Sequence, residues 1–467
     1  MTNDNYDFLI KGGTLVYGSG TIKGDILVKD EKIGAILERG DASTAKETID
    51  ATGKYVLPGV IDVHTHCDMP VYSDQFQDVT RSAACGGVTS MLSLVRRRRD
   101  LEMELLDSLK LYIEDGEKTS YIDFSIHGGF IQGDDPVKLA PKVVQMGITS
   151  FKMLMAYSGR GFQLDDGMLI RTMDAIAKAG GLVMIHAENG SMIDFLEERA
   201  KAEGRTSAKD FGPTRPGICE SEATYRAYSL ARTVGCPIYF VHMSARESID
   251  ILLKARMDEA IDVWAETCPQ YLLLTDDAMN RWDNLAKIAP PLRYQEDIDA
   301  MWRGCRNNII DVIGSDHAGY DLKKKKQTYD EKQQGKPNIF EAIFGIPGVE
   351  SMLPLIHQEG VNTGRISLSR MVELLSENPA RIFGVFPRKG ILQVGSDADI
   401  LIFDPNYEHT ISAEKHNSNV DYTVYEGWKC KGGVITTMLR GDIISEKGEL
   451  KGKPGQGRFL PRKPRSS

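Results

Sequence analysis

Two patterns of apolar residues alternate along the chain, and they divide it into three parts. Residues 6–57 contain short β-rich runs separated by glycines, such as Asp25 to Val28 and Ile33 to Ile36, a pattern typical of a small antiparallel sheet. From Pro58 the apolar runs alternate with amphipathic segments of helical period, and after Gly390 the short β-rich runs return. The simplest interpretation joins the two ends of the chain into one β-domain beside a central α/β domain.

The central part repeats a strand followed by a helix. Besides the run that begins at Pro58, its predicted strands are Thr89 to Val95, Tyr121 to Ile126, Ser150 to Met155, Leu182 to His186, Ile238 to His242, Asp262 to Glu266 and Val312 to Asp316. Amphipathic segments such as Asp166 to Ala179 lie between them. Alternating βα units predict parallel strands, and about eight such units predict a closed barrel.

The predicted fold is therefore α/β: a (β/α)8 TIM-like barrel with a small β-sandwich domain formed from the N- and C-terminal segments. We expect the β-domain to comprise residues 1–57 and 390–467, and the barrel residues 58–389. The C-terminal strands are predicted at Asp399 to Phe403, Tyr422 to Tyr425 and Val434 to Leu439. The Gly-, Pro- and Arg/Lys-rich stretch from Lys451 to Ser467 predicts an extended or partly disordered tail.

Composition narrows the class of protein. The 467 residues are 41% hydrophobic and 26% charged, which is ordinary for a globular chain. A net charge of −9 argues against a general nucleic-acid binder. No apolar run reaches the roughly 18 residues of a membrane span, and Met1 to Asn5 do not resemble a signal peptide. Seven scattered cysteines fit reduced thiols, so we expect a cytoplasmic protein that does not bind membranes.

Side chains that can bind metal ions stand at the ends of the predicted strands. His64 and His66 are two residues apart, so both point to one face of their strand. Lys152, His186, His242 and Asp316 end later strands. Each has an ordinary alternative: an ion-paired lysine, a hydrogen-bonded core histidine or a helix N-cap. Because catalytic groups of a barrel collect at the C-terminal ends of its strands, the six together predict a metal centre.

The motifs that carry these residues resemble those of the cyclic amidohydrolases of the amidohydrolase superfamily. Hydantoinases and dihydropyrimidinases are the nearest members, and allantoinases and dihydroorotases are more distant. The resemblance covers nearly the whole chain. Its motifs are Pro58 to His66, Phe151-Lys152-Met153, Ile185 to Asn189, Val241 to Ser244, Glu266 to Leu272, Gly314 to His317, Asn378-Pro379-Ala380, Gly395 to Asp399, Asn419 to Tyr422 and Tyr425-Glu426-Gly427.

The resemblance implies an enzyme with two divalent metal ions, usually zinc. By similarity, His64, His66 and Asp316 hold one ion, His186 and His242 hold the other, and Lys152 bridges both as N6-carboxylysine. An ammonium group cannot bind a cation, so the carbamate supplies the anionic ligand. Two metal ions lower the pKa of a bridging water from 15.7 towards about 7.

The reaction implied is hydrolytic opening of the amide or imide bond of a hydantoin- or dihydropyrimidine-type ring. Asp316 accepts the proton of the bridging water and later delivers it to the leaving nitrogen. Tyr157 matches the tyrosine of the family that stabilises the oxyanion. A small-molecule substrate and a homo-oligomer, tetramer or dimer, are implied in the same way.

Substrate-binding positions match the family less closely. In the family, a Ser-Pro-Pro turn holds the ring imide through backbone groups. The corresponding residues here are Ala289-Pro290-Pro291, and alanine can preserve those backbone contacts. The second turn, which contains Phe344 and Gly345, lacks the family's asparagine, and Asn338 nearby belongs to a different pattern. Apolar residues after His66 and around Phe162 are expected to form the pocket for the exocyclic substituent, and they favour a hydrophobic substituent.

Two other functions stay open. Allantoinase or another cyclic imide or ureide hydrolase is the enzymatic alternative, whereas Asp68 disfavours dihydroorotase because it would repel a substrate carboxylate. A non-catalytic dihydropyrimidinase-like scaffold is disfavoured because all six ligand positions are retained. Arg96 to Arg99 predict a solvated loop or subunit contact, and Lys323 to Lys326 predict a polar loop.

Overall fold

The structure of the chain, a computed structural model, describes residues 6–38, 40, 44–67, 69–330 and 338–465. Asp68, the residue that disfavours dihydroorotase, lies outside these ranges.

The N-terminal segment forms five strands that belong to one sheet. They are β1 (Phe8–Tyr17), β2 (Gly20–Lys29), β3 (Lys32–Glu38), β4 (Glu47–Asp50) and β5 (Tyr55–Pro58). Antiparallel pairing joins β1 to β2 and β2 to β3, whereas β4 and β5 run parallel to β1. Their apolar side chains, including Ile10, Ile26 and Val56, are buried in one cluster.

A parallel barrel begins one residue after β5. Its strands are β6 (Val60–His66), β7 (Val88–Arg96), β8 (Asp123–Gly129), β9 (Ser150–Leu154), β10 (Leu182–His186), β11 (Ile238–Phe240), β12 (Val263–Thr267), β13 (Val312–Ile313) and β14 (His317–Ala318). From β6 to β13 each strand is hydrogen-bonded to the next one in this order, whereas β14 pairs with β6. Because only residues 314–316 separate β13 from β14, the two are halves of an eighth strand that closes the barrel.

Helices surround the barrel. They are α1 (Phe76–Cys85), α2 (Leu105–Thr119), α3 (Pro136–Gln145), α4 (Asp166–Lys178), α5 (Gly190–Ala202), α6 (Gly217–Thr233), α7 (Arg246–Met257), α8 (Pro269–Leu273), α9 (Ala278–Trp282), α10 (Gln295–Arg306), α11 (Leu322–Asp330), α12 (Met352–Ile356), α13 (Leu368–Val372) and α14 (Asn378–Ile382). In α4 the Asp165 carboxylate caps the first turn, and Leu169, Met173 and Ile176 face the core.

The C-terminal segment completes the β-domain with β15 (Ile400–Thr410), β16 (Lys429–Leu439), β17 (Asp442–Glu446) and β18 (Glu449–Leu450). β15 pairs antiparallel with β5, so both ends of the chain share one sheet. The predicted α/β fold, a TIM-like barrel with a small β-domain from the two chain ends, is confirmed. The strand predicted at Tyr422 to Tyr425 is wrong: these residues form an irregular turn, and their apolar side chains are buried beneath the barrel loops.

The domain limits stay a proposal: 1–57 and 390–467 for the β-domain, and 58–389 for the barrel. β5 ends at Pro58 and β6 begins at Val60, which supports the first limit. The described part of the tail, residues 451–465, is extended but contacts the barrel. Leu460 and Arg462 donate backbone hydrogen bonds to the carbonyls of Phe124 and Gly147, so the tail is held against the N-terminal ends of the barrel strands.

Candidate metal centre and active site

The carboxyl ends of the barrel strands bring the six predicted metal ligands together. His64 and His66 lie at the end of β6, Lys152 in β9, and His186 at the end of β10. His242 follows β11 by two residues, and Asp316 lies between β13 and β14. The rings of His64 and His242 are 5.4 Å apart, and those of His186 and His242 are 4.6 Å apart. Residues from five strands therefore meet at one mouth of the barrel.

His64, His66 and Asp316 form the first group. One potential ligand atom from each lies within 4.8 Å of the others. Asp316 Oδ1 is 3.0 Å from His66 Nε2 and 3.4 Å from His64 Nε2. Although burial alone would raise the pKa of Asp316, the two histidines hold that pKa below its ordinary value. Asp316 is therefore an ionised carboxylate aimed at both imidazoles.

A buried carboxylate fixes the orientation of His64. Its Nδ1 lies 2.7 Å from Glu266 Oε1, so its Nε2 faces Asp316 and the centre of the mouth. Glu266 also accepts hydrogen bonds from the Tyr239 hydroxyl at 2.8 Å and from the His242 amide at 3.1 Å. One side chain from β12 thus positions two candidate ligands, the arrangement by which carboxylates orient metal-binding histidines.

His186 and His242 form the second group. His186 Nδ1 is 2.9 Å from His242 Nε2, and His186 Nε2 is 2.8 Å from Glu188 Oε2. Burial lowers the pKa of both imidazoles, which favours the neutral form that binds metal ions. Burial opposes ionisation of Glu188, but Arg215 and the hydrogen bond from His186 hold its pKa at about 2.

Lys152 lies between the two groups. Its side chain is 3% exposed, and its Nζ is 3.3 Å from His64 Nε2. Burial lowers the pKa of Lys152 to about 8, so the neutral amine is accessible near neutral pH. Lys152 is therefore a buried lysine whose amine lies close to the imidazole of the first group.

The donor set fits a pair of divalent ions. It consists of imidazole nitrogens, a carboxylate and a lysine that can be carboxylated, and zinc binds nitrogen and oxygen ligands of this kind. In the described part of the chain, His242 Nδ1 is buried without a hydrogen-bond partner. A buried polar atom normally has a partner, and a metal ion would supply one here.

Three residues of the site adopt left-handed backbone conformations that non-glycine residues rarely populate. The φ angles are +73° at Tyr157, +41° at His242 and +50° at Asp316. Near Asp316, the Ser315 amide donates to Asp62 Oδ1 at 3.0 Å, and Asp62 also accepts from the His64 amide. This carboxylate links the first and last barrel strands. Strain of this kind collects at functional sites, where surrounding contacts hold it.

Tyr157 and the predicted substrate-binding residues surround a cavity above the six side chains. The cavity is lined by Tyr157, Ala289, Phe344 and Gly345 together with Lys152, His66, His186, His242 and Asp316. The Tyr157 ring is 5.1 Å from that of His186. Burial raises the pKa of Tyr157 well above its ordinary value, so its hydroxyl stays a hydrogen-bond donor.

Backbone groups beside the cavity differ in what they can offer a ligand. The Gly345 amide already donates to the Lys287 carbonyl at 3.0 Å, which leaves its own carbonyl for other contacts. Within the described ranges the amide and carbonyl of Ala289 make no hydrogen bond to protein. Asn338 accepts from the Phe340 amide at 3.0 Å, so it shapes its own turn and does not line the cavity.

A family model described as the amidohydrolase family matches residues 55–444. The chain belongs to the amidohydrolase family. The matched segment spans the barrel together with β5, β15 and β16 of the sheet that joins both chain ends.

Among its relatives are two D-hydantoinases. That of Streptomyces coelicolor is 39% identical to this amidohydrolase over 97% of each chain. That of Ralstonia pickettii is 40% identical over 98% of this chain and 99% of its own. The solved structure of dihydropyrimidinase from Brevibacillus agri superposes with a TM-score of 0.92 at 36% identity, covering 98% of this chain and 99% of that one.

Two charged runs of this amidohydrolase are placed differently from expectation. Arg96, expected in a solvated loop or subunit contact, is 9% exposed and lines the cavity. Lys325, expected in a polar loop, belongs to α11 and is fully buried, with its Nζ 3.3–3.5 Å from three backbone carbonyls. Runs of like charge carry no signal that distinguishes the one member that turns inward.

Other residues of the site were indicated only weakly, or not at all, by the amino-acid sequence. Glu188 follows His186 by two residues, so its motif offered a hint. Glu266 begins the motif Glu266 to Leu272, but its role, like that of Arg160, is recognisable only from its neighbours in space. His317, the last residue of the motif Gly314 to His317, lies 3.2 Å from Asp74 and accepts from the Gly348 amide at 3.2 Å. Its role is to hold the loop around Gly348 against the barrel.

Proposed function

We propose that this protein is a metal-dependent cyclic amidohydrolase that opens the amide or imide bond of a hydantoin- or dihydropyrimidine-type ring. One observation carries the proposal: four imidazoles, a buried lysine and an ionised aspartate converge beneath a cavity at the mouth of the barrel. The chain has the length and family of the D-hydantoinases with which it is 39–40% identical.

Two divalent ions, zinc in our proposal, would be held by the two groups of side chains. His64, His66 and Asp316 would hold one ion, and His186 and His242 the other. Lys152 would bridge them as N6-carboxylysine: its neutral amine adds carbon dioxide, a nitrogen–carbon bond forms and a proton is released. The product is a carboxylate-like anion with one oxygen for each ion.

When bound, the ions supply an activated water at neutral pH and a positive field at the substrate carbonyl. Asp316 takes the proton from the attacking water and delivers it to the ring nitrogen as the carbon–nitrogen bond breaks. The Tyr157 hydroxyl, kept protonated by its raised pKa, donates a hydrogen bond to the oxyanion that develops on the carbonyl oxygen. Asp316 and Tyr157 are thus the proposed catalytic residues.

The substrate ring would be held by backbone groups of the two turns that line the cavity. The unused amide and carbonyl of Ala289 can pair with one polar edge of an imide, and the carbonyl of Gly345 can accept from its N–H. The Phe344 ring, 5.6 Å from that of Tyr157, would pack against the face of the substrate ring.

Two alternatives are weaker. An allantoinase or another ureide hydrolase would use the same metal chemistry, but the relatives named above are hydantoinases. A non-catalytic scaffold has no need of the six convergent side chains or of the buried lysine among them.

A homo-oligomer, tetramer or dimer, and a cytoplasmic location are also proposed. The oligomer rests on the family, and the location rests on seven cysteines whose pattern suits reduced thiols. None of the helices in the described ranges combines the length and apolar content that crossing a bilayer requires.

Hydrolysis rates measured on a panel of cyclic substrates test the proposed function. The zinc-loaded protein would be assayed with hydantoin, a 5-aryl hydantoin, dihydrouracil, allantoin and a cyclic imide, and its metal content would be measured in parallel. We expect about two metal ions per chain and the highest kcat/KM on a hydantoin or dihydropyrimidine. A metal-free protein without activity on any ring would contradict the proposal, and a preference for allantoin would select the alternative.

A further inference from the structure

We propose that Lys287 is a positioning residue that holds the two substrate-binding turns, residues 288–291 and 342–345, in register with each other. This inference rests on the proposed ring-opening function and names the residue that fixes where the ring binds. Four residues of the two turns line the cavity: Ile288, Ala289, Phe344 and Gly345. Lys287 is not among the described residues that line it, so it acts through the turns.

The backbone of Lys287 connects the two turns directly. Lys287 immediately precedes the first turn, and its carbonyl accepts a hydrogen bond from the Gly345 amide of the second turn at 3.0 Å. Gly345 has a φ of +115°, and a Cβ atom added to it would lie 2.5 Å from the Cβ of Ala318. The second turn is therefore confined between Lys287 on one side and β14 on the other.

The side chain of Lys287 makes a second connection to the same segment. It is fully buried, and its Nζ donates to the Ala342 carbonyl at 2.5 Å and to the Phe340 carbonyl at 3.4 Å. The same Nζ lies 4.1 Å from the centre of the Phe344 ring. Lys287 thus holds residues 340–345 at three backbone groups: two carbonyls through its amine and one amide through its own carbonyl.

The surroundings of the Lys287 amine suit hydrogen bonds to these carbonyls and not an ion pair. In the described part of the chain, no carboxylate oxygen lies within 4.0 Å of its Nζ, whereas the Phe211 ring is 5.1 Å away. Burial, together with the charge of Arg215, lowers the pKa of Lys287 well below its ordinary value, which favours the neutral amine. A neutral amine has two N–H donors, one for each of the two carbonyls.

Phe344 carries the effect of this contact into the cavity. Its ring lies beside the Lys287 amine and forms an edge contact with the Tyr157 ring at 5.6 Å. A shift of the second turn would move Phe344 and the Gly345 carbonyl, which we propose contact the substrate ring. The six candidate metal ligands lie at the ends of the barrel strands and would stay in place.

The second turn departs from the family pattern, so its position depends on contacts with other parts of this chain. It lacks the family's asparagine, and Asn338 shapes its own turn away from the cavity. Lys325 adds to the connection, because its Nζ lies 3.3 Å from the Ile343 carbonyl and 3.5 Å from the Lys287 carbonyl. Lys287 differs from Lys325 in being continuous with the first turn.

Lys287→Met tests the inference with the zinc-loaded enzyme. Methionine has a similar length and suits a buried apolar site, so the fold should be kept while both carbonyls lose their donor. We expect the KM for hydantoin to rise about tenfold, the ratio typical of one lost hydrogen bond. The kcat should stay within about threefold of the wild-type value, because a rise in KM at constant kcat reports lost substrate binding. Metal content should stay at the wild-type level.

Two further variants separate positioning from stability. Lys287→Gln keeps an N–H donor on a shorter side chain, so its KM should lie between those of the wild type and Lys287→Met. If Lys287→Met does not fold, Lys287→Gln should still raise the KM by at least about threefold. Arg462→Ala is the matched control: it removes another buried side chain that donates to a backbone carbonyl, at the opposite end of the barrel. It should lower the thermal midpoint and leave the KM unchanged.

The outcomes separate this inference from the proposed function. If the wild-type enzyme opens none of the rings, the proposed function fails and this inference fails with it. If the wild type opens hydantoin and the Lys287 variants change the KM no more than Arg462→Ala does, the positioning role is overturned while the ring-opening function stands. A loss of kcat or of metal at unchanged KM would also overturn it, because Lys287 would then serve the fold or the metal centre.

Discussion

Glu266 illustrates how a single side chain can determine the orientation of the candidate metal ligands. One buried carboxylate contacts His64, the Tyr239 hydroxyl and the His242 amide, so it orients residues from two other strands. Such partners are as important as the ligands themselves, because they fix which imidazole nitrogen faces the ions. The six candidate ligands could be predicted from strand ends and motifs. The role of Glu266 could not be predicted, because it depends on contacts between β12 and residues of β6 and β11.

Lys152→Ala tests the proposed bridge. Without an anionic ligand between the two groups, the metal content should fall and kcat/KM should decrease by at least about 10³-fold, because the ions supply the nucleophile and polarise the carbonyl. Elemental analysis and kinetics on hydantoin measure both effects. Lys142→Ala, on an exposed position of α3, is the control. Near-normal activity with Lys152 replaced would contradict the bridge.

Tyr157→Phe tests the oxyanion donor. Removing one such donor lowers kcat by about 10²–10³-fold, and KM should change little because the contact strengthens only as charge develops. Metal content should stay at the wild-type level. Tyr225→Phe removes a hydroxyl from a side chain that is 62% exposed, and it should be silent. A variant of Tyr157 that loses metal instead of kcat would assign the tyrosine a structural role.

At the scale of elements, the C-terminal tail makes contacts that its sequence composition does not predict. Its composition is typical of an extended or disordered segment, yet Arg462 inserts beneath the barrel and is 3% exposed. Its guanidinium donates to Ser125 Oγ at 3.0 Å, Ser150 Oγ at 2.7 Å and the Ile126 carbonyl at 2.5 Å. Ser150 Oγ also lies 2.5 Å from His127 Nδ1. The tail therefore closes the barrel at the end opposite the site.

Arg462→Ala should destabilise the fold. It leaves two hydroxyls and a carbonyl buried without their donor, at a cost of about 2 kcal/mol or more, so the thermal midpoint should fall by several degrees. Thermal unfolding at a fixed scan rate measures the shift. Lys463→Ala changes the next residue, whose side chain is exposed, and should have little effect. Equal midpoints for the two variants would show that the buried contacts contribute nothing.

At the scale of the whole molecule, a buried ion cluster joins the barrel to the β-domain. Lys389 Nζ lies 2.6 Å from Asp123 of β8, 2.9 Å from Asp397 and 2.7 Å from Asp399. Arg440 of β16 also pairs with Asp123. Although burial opposes its charge, the three carboxylates raise the pKa of Lys389 above its ordinary value. The cluster is stable only while its cations are present, because buried carboxylates repel one another.

Lys389→Met should therefore cost about 3–5 kcal/mol, the penalty for leaving buried charges uncompensated. Lys32→Met is the matched control: Lys32 pairs with the same Asp397 at 2.5 Å, but its side chain is 46% exposed. Its loss should cost less than about 1 kcal/mol. Denaturant unfolding measures the free energy of unfolding of both variants. Similar losses for the two would show that Lys389 is not what stabilises the interface between the barrel and the β-domain.

The amino-acid sequence determined the local features of this protein. Hydrophobic period set the strands and helices of the barrel, and the positions of His64, His66 and Asp316 at strand ends indicated a metal centre. Both follow from short-range rules, since a strand directs alternate side chains to one face. Tertiary structure alone decided which distant groups meet: Glu266 beside His64, Arg462 beneath the barrel and Lys389 between the domains. Those contacts join residues far apart in the chain, and no spacing along it specifies them.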